Sequence, residues 1–238
     1  MQPALGLISH GTSSPAGQSV ISALAEAVAA TLRQRGVTDT VVLGHVDVQT
    51  PDVAEVLATL PRKRPSILVP LLLSPGYHVH VDLAEAVAAA GAGGTRDIRV
   101  ATTLGPDARL AELLALRLPA LTADDDIVLA AAGSSDERAN DASREVGELL
   151  ADRLRRPVHT AFLAGDHDNL RDIVEQKSHL GEHLVVANYL LAPGYFDDLA
   201  SRLVAGVGGR LADPLLHPAS PAPQLLVDLV IERMMAVA

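Results

Sequence analysis

The sequence predicts an α/β fold built twice: two tandem duplicated α/β domains, each a small parallel sheet flanked by helices, with a cleft between them. Three observations carry this expectation. Short apolar runs alternate with segments of helical periodicity along the whole chain. The strand-like runs are apolar almost throughout, as they are when a parallel sheet is covered on both faces. The order of elements also recurs after about half the length: Pro75-Gly76-Tyr77 returns as Pro193-Gly194-Tyr195, the mark of an internal repeat.

Each element has its own signal. ALGLISHG is a short apolar run that stops at glycine and reads as a strand over about residues 4–9. SVISALAEAVAATLRQRG has helical periodicity, with Gly36 as its C-terminal cap. TVVLGHVDVQ alternates and is rich in Val, so it is a second strand carrying His45 and ending at Asp47. TPDVAEVLATL is a helix with Thr50 as N-cap and Pro51 in its first turn. PSILVPLLLS is a third strand, HVDLAEAVAAAGAGG a helix, DIRVATTLG a fourth strand and PDARLAELLALRL a helix. The second half repeats the order with DIVLAAAGSSD, ANDASREVGELLADRL, VHTAFLAG, NLRDIVEQKSHL, HLVVANYLLAPGY and FDDLASRLVAGVGG. APQLLVDLVIERMMAV closes the chain as a helix.

The boundary between the repeats falls at the acidic LTADDD stretch, giving domains 1–122 and 123–238. The differences between them locate the chemistry. His10 is matched by Ala132, His78 by Phe196, and Asp47 loosely by Gly165. The first half carries polar groups at three strand ends and the second has lost them. His159, His167, His179, His183 and His217 read as surface or loop residues, and Tyr195 as a packed core residue.

Composition removes whole classes of function. With 48% apolar residues the 238-residue chain has ample material for a core. No cysteine is present, which excludes disulfides, thiolate metal sites and thiol nucleophiles. Nineteen basic residues against 29 acidic ones give a net charge of −10. Together with only three Tyr, two Phe and no Trp, this argues against nucleic-acid binding. No apolar run is long enough for a membrane span, and the start MQPALGLISHG lacks the pattern of a secretory signal. A cytoplasmic location is therefore expected. Neither GxGxxG nor GxxxxGK[ST] occurs, so no nucleotide is expected. GTSSP is not a nucleophile elbow.

In open parallel sheets ligands bind beyond the carboxyl ends of the strands, near a switch in strand order. His10, Asp47 and His78 follow the first three strands, and neighbouring strands lie only about 4.8 Å apart. Two His and a carboxylate suit a divalent ion with positions left open for substrate. A single His at a strand end is also a common hydrogen-bonded structural residue. His78 and His80 share a face if HVHV is extended, and His45 lies inside a strand, facing solvent or a loop. The loop Gly11-Thr12-Ser13-Ser14 precedes a helix, where backbone N–H groups stabilise anions. An ordinary Ser/Thr cap is the competing reading. Arg62, Lys63 and Arg64 read as solvated surface at the amino end of the third strand.

LISHGTSSP, HVDVQTPDV and VPLLLSPGYHVHVDL, taken in that order, resemble the sirohydrochlorin chelatases, a class II chelatase family that includes the cobalt chelatase of the anaerobic cobalamin route. The resemblance spans the chain, and the two-repeat layout is similar to the long bacterial form. It implies a chelatase-like fold and nucleotide-free insertion of a divalent metal, Fe²⁺ or Co²⁺ and conceivably Ni²⁺, into a tetrapyrrole. The metal is then a substrate for sirohaem or cobalamin synthesis. The family's catalytic His pair falls on His10 and His78, and its usual Glu on Asp47, one methylene shorter, giving the metal set His10, His78 and Asp47. Gly11, Thr12, Ser13, Tyr77 and His80 are expected at the substrate, with the loop and His80 answering its eight carboxylates. Metal binding needs neutral imidazole, so activity is expected to fall below about pH 6.

Two other classes stand beside this one. A metal or tetrapyrrole carrier would use the same His pair without turnover. A His-dependent hydrolase or phosphatase would need a phosphate clamp or a catalytic Ser at a strained turn, and neither motif occurs. An internal duplication can replace a symmetric dimer, so a monomer is expected.

Overall fold

Ala4–Ser9 is β1, and all six residues are buried. It is one of two inner strands, with Ser66–Pro70 (β3), of a parallel sheet that also holds Val41–His45 (β2) and Ile98–Val100 (β4), ordered β2-β1-β3-β4. The computed structural model describes residues 2–74, 76–91, 96–165 and 167–238, with the side chains of 77–82 and 91 outside that description. A second parallel sheet repeats the order with Asp126–Ala131 (β5), Val158–Phe162 (β6), Leu184–Tyr189 (β7) and Arg210–Leu211 (β8), as β6-β5-β7-β8. The α/β class and the parallel pairing thus follow the apolar strand pattern.

The connecting helices start and stop on recognisable chemistry. Pro15–Gln34 (α1) starts at Ser14, whose hydroxyl accepts from the Gly17 N–H. It stops at Gly36, where φ is +66°. There Val37 N–H donates to Leu32 O and Gly36 N–H to Arg33 O, the paired bonds of a Schellman end. Val53–Thr59 (α2) is capped by Asp52, not by Thr50 as expected. Asp52 and Glu55 bond each other's backbone N–H in a capping box, which ties down two donors where a Thr could tie down one. Tyr77–Gly91 (α3) follows β3. Ala108–Arg117 (α4), Glu137–Leu154 (α5), Leu170–Gln176 (α6), Tyr195–Ala205 (α7) and Gln224–Met235 (α8) complete the helices described. A short 3₁₀ segment, Ser178–His183, leads into β7. The sequence reading passed over β8, because two residues are too few to show a period.

One face of the first sheet packs on α2 and α3: Ala4, Ile8 and Leu68 cluster with Val53, Val56, Leu57, Leu60 and Leu83. In the second sheet Val128, Ala130 and Val186 pack with Leu170, Val174, Ala200 and Val204 of α6 and α7. The chain divides into two compact units, residues 1–104 with 220–238, and residues 105–219. These differ from the repeats 1–122 and 123–238 by an exchange of helices. α4, which follows β4, packs on α5 and β7, whereas α8 packs on α1 and β3. Leu110, Leu113 and Leu114 are thereby buried in the second unit, and Leu226, Leu229 and Val230 in the first. Sequence order cannot reveal this, since an amphipathic helix fits any matching apolar face.

The amino end of the second sheet holds a buried carboxylate. Asp125 accepts from Thr122 N–H at 2.7 Å and from Arg210 at 2.8 Å, with His183 Nδ1 at 3.1 Å. Burial pushes its pKa up, but the Thr122, Arg210 and His183 bonds outweigh burial and hold it well below the carboxylate range. A depressed folded pKa gives stability that is present above about pH 4 and lost as pH falls. We expect Asp125→Asn to lower stability at neutral pH by about 2 kcal/mol. Its urea midpoint should also vary less between pH 4 and pH 2.5 than that of the parent. Parallel midpoint curves for the two proteins would contradict this account.

Candidate functional site

The strand order 2-1-3-4 reverses direction between β1 and β3, so this is the switch point of the first unit. Three chain segments leave the sheet there at its carboxyl edge. β1 ends at Ser9 and is followed by His10, which is exposed. β2 ends at His45, two residues before Asp47. β3 ends at Pro70, and α3 begins seven residues later. Leu71 N–H donates to Ile8 O at 2.7 Å, which keeps β3 beside β1 up to this edge.

Side-chain alternation assigns the faces. Ala4 and Ile8 point into the cluster that contains Leu83 of α3. A period of two continues that row to His10, on the side that α3 covers. Ser9 and His45 belong to the other row and are buried, 4% and 5% exposed. They are register partners, and Ser9 Oγ lies 2.8 Å from His45 Nδ1. Burial pushes the His45 pKa down, which favours the neutral ring.

Gly11 fixes how closely the first two loops approach. Its φ is +97°, and a Cβ built on it would fall 1.8 Å from the Asp47 carbonyl oxygen. Val46 N–H donates to Ser9 O and Asp47 N–H to His10 O, each at 2.9 Å. Two strand ends thus remain laced together beyond the sheet. Asp47 is exposed, and its Oδ1 accepts from Val48 N–H at 2.7 Å. Gln49 N–H donates to Asp47 O at 2.8 Å, closing a tight turn about Val48. Val48 has φ +66° and is 60% exposed, a costly conformation for a β-branched residue.

Several sequence expectations change here. His45, expected to face solvent or a loop, is interior and bonded to Ser9, and Asp47, expected at the end of the second strand, lies in the loop beyond β2. The backbone of 77–80 is helical, not extended, so positions 78 and 80 are turned about 200° from one another around the axis. The side chains of Tyr77, His78 and His80 lie outside the described residues. Among the described residues no three His or acidic side chains group to hold an ion, so His10, His45 and Asp47 do not form a metal site by themselves. The Gly11–Ser14 loop spends part of its donor capacity internally. Thr12 N–H donates to Gln49 Oε1 and Ser14 N–H to Thr12 Oγ1. Gln49 ties the two loops together and was missed, because nothing in the spacing of HVDVQTPD marks it.

The second unit has the same backbone and different chemistry. Leu163 N–H donates to Ala131 O and Ala164 N–H to Ala132 O. Gly133 has φ +85°, and its Cβ would fall 2.2 Å from Ala164 O. The register pairs His10 with Ala132 as expected, but Asp47 with Ala164, not Gly165. Asp136 N–H donates to Ser134 Oγ as Ser14 N–H does to Thr12 Oγ1, so that loop bond is copied, whereas Ser134 N–H donates to Asn140 Oδ1 where Thr12 N–H donates to Gln49 Oε1. Tyr195 is 72% exposed, contrary to the expected core position. Among the described side chains the buried tyrosine is Tyr189, the last residue of β7. His159, His167 and His179 are exposed, in line with their surface reading, while His183 and His217 are half-buried beside Asp125 and Asp213.

A model of the CbiX family matches residues 4–121 and 126–205, taking in both repeats. The chain belongs to the CbiX family. This agrees with the family resemblance read from the three motifs. Solved structures share the fold along nearly the whole length. SirB from Bacillus subtilis with Fe³⁺ superposes with a TM-score of 0.81 and 17% identity, over 99% of this chain and 95% of that one. SirB from Bacillus subtilis subspecies spizizenii, described as a sirohydrochlorin chelatase in complex with cobalt, gives 0.79 and 17%, over 99% and 94%. A CbiX described as the terminal enzyme for biosynthesis of siroheme in denitrifying bacteria gives 0.67 and 19%, over 96% and 98%. At these identities the likeness is one of fold. A comparison with curated proteins finds no match. Among the described residues, no helix is long and apolar enough to cross a membrane.

The crowding at Gly11 can be separated from its backbone conformation. Gly36 also has positive φ but has nothing within 4 Å of its Cβ position. Gly36→Ala should therefore cost about 1–2 kcal/mol, the price of the conformation alone. Gly11→Ala carries the same cost and must also push the Asp47 loop away, so its loss in urea unfolding should be clearly larger. Equal losses would show that the two loops are not held in contact.

Proposed function

We propose that this chain is a sirohydrochlorin chelatase that inserts Fe²⁺ or Co²⁺ into the tetrapyrrole without a nucleotide. The observation that carries the reading is the switch point of the first unit. The end of β1, with His10, and the start of α3, which contains position 78, flank it on the same face of the sheet. The second unit copies the backbone but has Ala132 and Phe196 at the matching positions. An imidazole pair confined to one of two like units is the arrangement of a single working site.

In this reading the ion is a substrate and must be released. His10 and His78 take it as neutral imidazoles, with Asp47 beside them as a third, weaker ligand or as the holder of a bound water. Two neutral nitrogens and one carboxylate leave open positions for the tetrapyrrole nitrogens and a weak enough hold for transfer. A divalent ion displaces two N–H protons from the macrocycle, so charge balances when both protons leave. An imidazole that has just given up the ion regains its lone pair and accepts one of them. Gly11 N–H and Ser13 N–H, which have no partner among the described residues, are donors the Gly11–Ser14 loop keeps for a substrate carboxylate. Gly11 and Thr12 shape that loop. His80 is proposed as a further carboxylate donor and Tyr77 as a wall of the macrocycle site. With a net charge of −10, binding of a polyanion has to rest on such local donors, because long-range repulsion is screened beyond about 8 Å at physiological salt.

An anaerobic absorbance time course tests the proposal. Protein is mixed with excess sirohydrochlorin and Fe²⁺ or Co²⁺, beside a His10→Ala/His78→Ala variant and a protein-free control. Many turnovers by the parent, reduced at least 100-fold in the variant, are expected. A parent rate equal to the control with both metals would refute catalysis and leave the carrier reading.

A further inference from the structure

Ser9 and His45 form a polar pair that the fold does not need. Both side chains are buried, they are joined at 2.8 Å, and they sit at the last residues of β1 and β2. The second unit places Ala131 and Phe162 at the same register positions, also buried. There the backbone runs on identically, with Leu163 N–H to Ala131 O and Ala164 N–H to Ala132 O at 2.9 Å. An alanine and a phenylalanine therefore satisfy the turn. The polar version occurs only where the next positions are His10 and Asp47 and not Ala132 and Ala164. Replacing both partners of a buried hydrogen bond by apolar groups is close to neutral for stability, so stability gives no reason to keep it.

We propose that Ser9 and His45 are positioning residues that hold His10 and Asp47 at a fixed separation for the metal ion, a role that rests on the function proposed above. The two backbone bonds, from Val46 N–H to Ser9 O and from Asp47 N–H to His10 O, continue the β1–β2 ladder, whose bonds follow one line between the two strands. Bonds in one line leave rotation of one strand end against the other weakly opposed. The Ser9–His45 bond stands off that line, on the face opposite the α2–α3 cluster, and opposes the rotation. His45 also reaches both loops. Its Cβ lies 3.5 Å from the Cβ position of Gly11. Its N–H donates to Pro51 O at 3.0 Å, closing the excursion that carries Asp47. The pair acts through His10 and Asp47 and touches neither metal nor tetrapyrrole.

The test compares the parent with Ser9→Ala, His45→Asn and the double variant Ser9→Ala/His45→Phe, which copies the second unit. Thermal midpoint, Co²⁺ affinity by equilibrium dialysis, and KM for metal and for sirohydrochlorin are measured on each. The double variant should keep its midpoint within a few degrees, lose at least tenfold in Co²⁺ affinity and in kcat/KM for metal, and keep its KM for sirohydrochlorin. His45→Asn, whose amide can replace Nδ1 toward Ser9, should stay within threefold of the parent, and Ser9→Ala should not. Parent-like metal parameters in the double variant would overturn the proposal. So would His45→Asn and Ser9→Ala losing activity equally, the comparison that decides if the double variant does not fold. A parent that binds Co²⁺ without turnover, with binding lost in the double variant, would sink the chelatase reading and leave the positioning role standing.

Discussion

The contact between Gly11 and the Asp47 carbonyl is the constraint on which the site depends. No side chain fits between them, so position 11 must be glycine and must take a positive φ. That conformation turns the chain away directly after His10 and delivers the Gly11–Ser14 loop to the start of α1. The same contact brings the loop after β2 under the loop after β1, where Gln49 can accept from Thr12. Strain at Val48 belongs to the same bargain: the chain must reverse within a few residues to expose Asp47 and still reach the Asp52 cap of α2. Parallel sheets offer this edge to any ligand. The glycine decides which two side chains are presented there and how far apart.

Duplication makes the constraint visible. Gly133 meets Ala164 as Gly11 meets Asp47, and the loop bonds of Thr12 and Gln18 are copied by Ser134 and Asn140. A backbone device that persists without its imidazoles is a folding device first. The two units differ in the side chains at positions 9, 10, 45 and 47 and at the start of α3, which are those the proposed function uses. This separates two kinds of residue that a single copy would confuse. A glycine shapes the edge in both units, as Gly11 and Gly133, whereas His10 and Asp47 have only alanines as counterparts.

Helix exchange gives the two repeats a different kind of link. Because α8 covers the first sheet and α4 the second, the first unit is discontinuous, residues 1–104 with 220–238, and the second, residues 105–219, begins inside the first repeat. α8 is needed to bury the α1 side of the first sheet, so the unit carrying His10 is complete only once residues 220–238 have been added. Burial of Leu226, Leu229 and Val230 contributes about 1.5–3 kcal/mol each by transfer, an upper range, since the unfolded chain is not fully extended. The family match takes in both repeats, residues 4–121 and 126–205.

The sequence by itself determined the α/β class, the strand positions and the pairing of His10 with Ala132, because apolar period and repeated motifs are local and additive along the chain. It placed β1 at Ala4–Ser9 and the glycine stop of α1 at Gly36 for the same reason. It also marked His10, Asp47 and the PGYH segment, since motif order survives in one dimension. Tertiary structure decided what depends on contacts between distant residues. His45 looked like a strand residue open to solvent and is a buried partner of Ser9, thirty-six residues away. Asp47 looked like a strand end and is a loop residue, since the Gly11 contact draws the chain off the sheet before it. Tyr195 looked like core and is the exposed first residue of α7. The exchange of α4 and α8 left no trace in the sequence at all. Two amphipathic helices of similar pattern can be told apart only by the surfaces they meet.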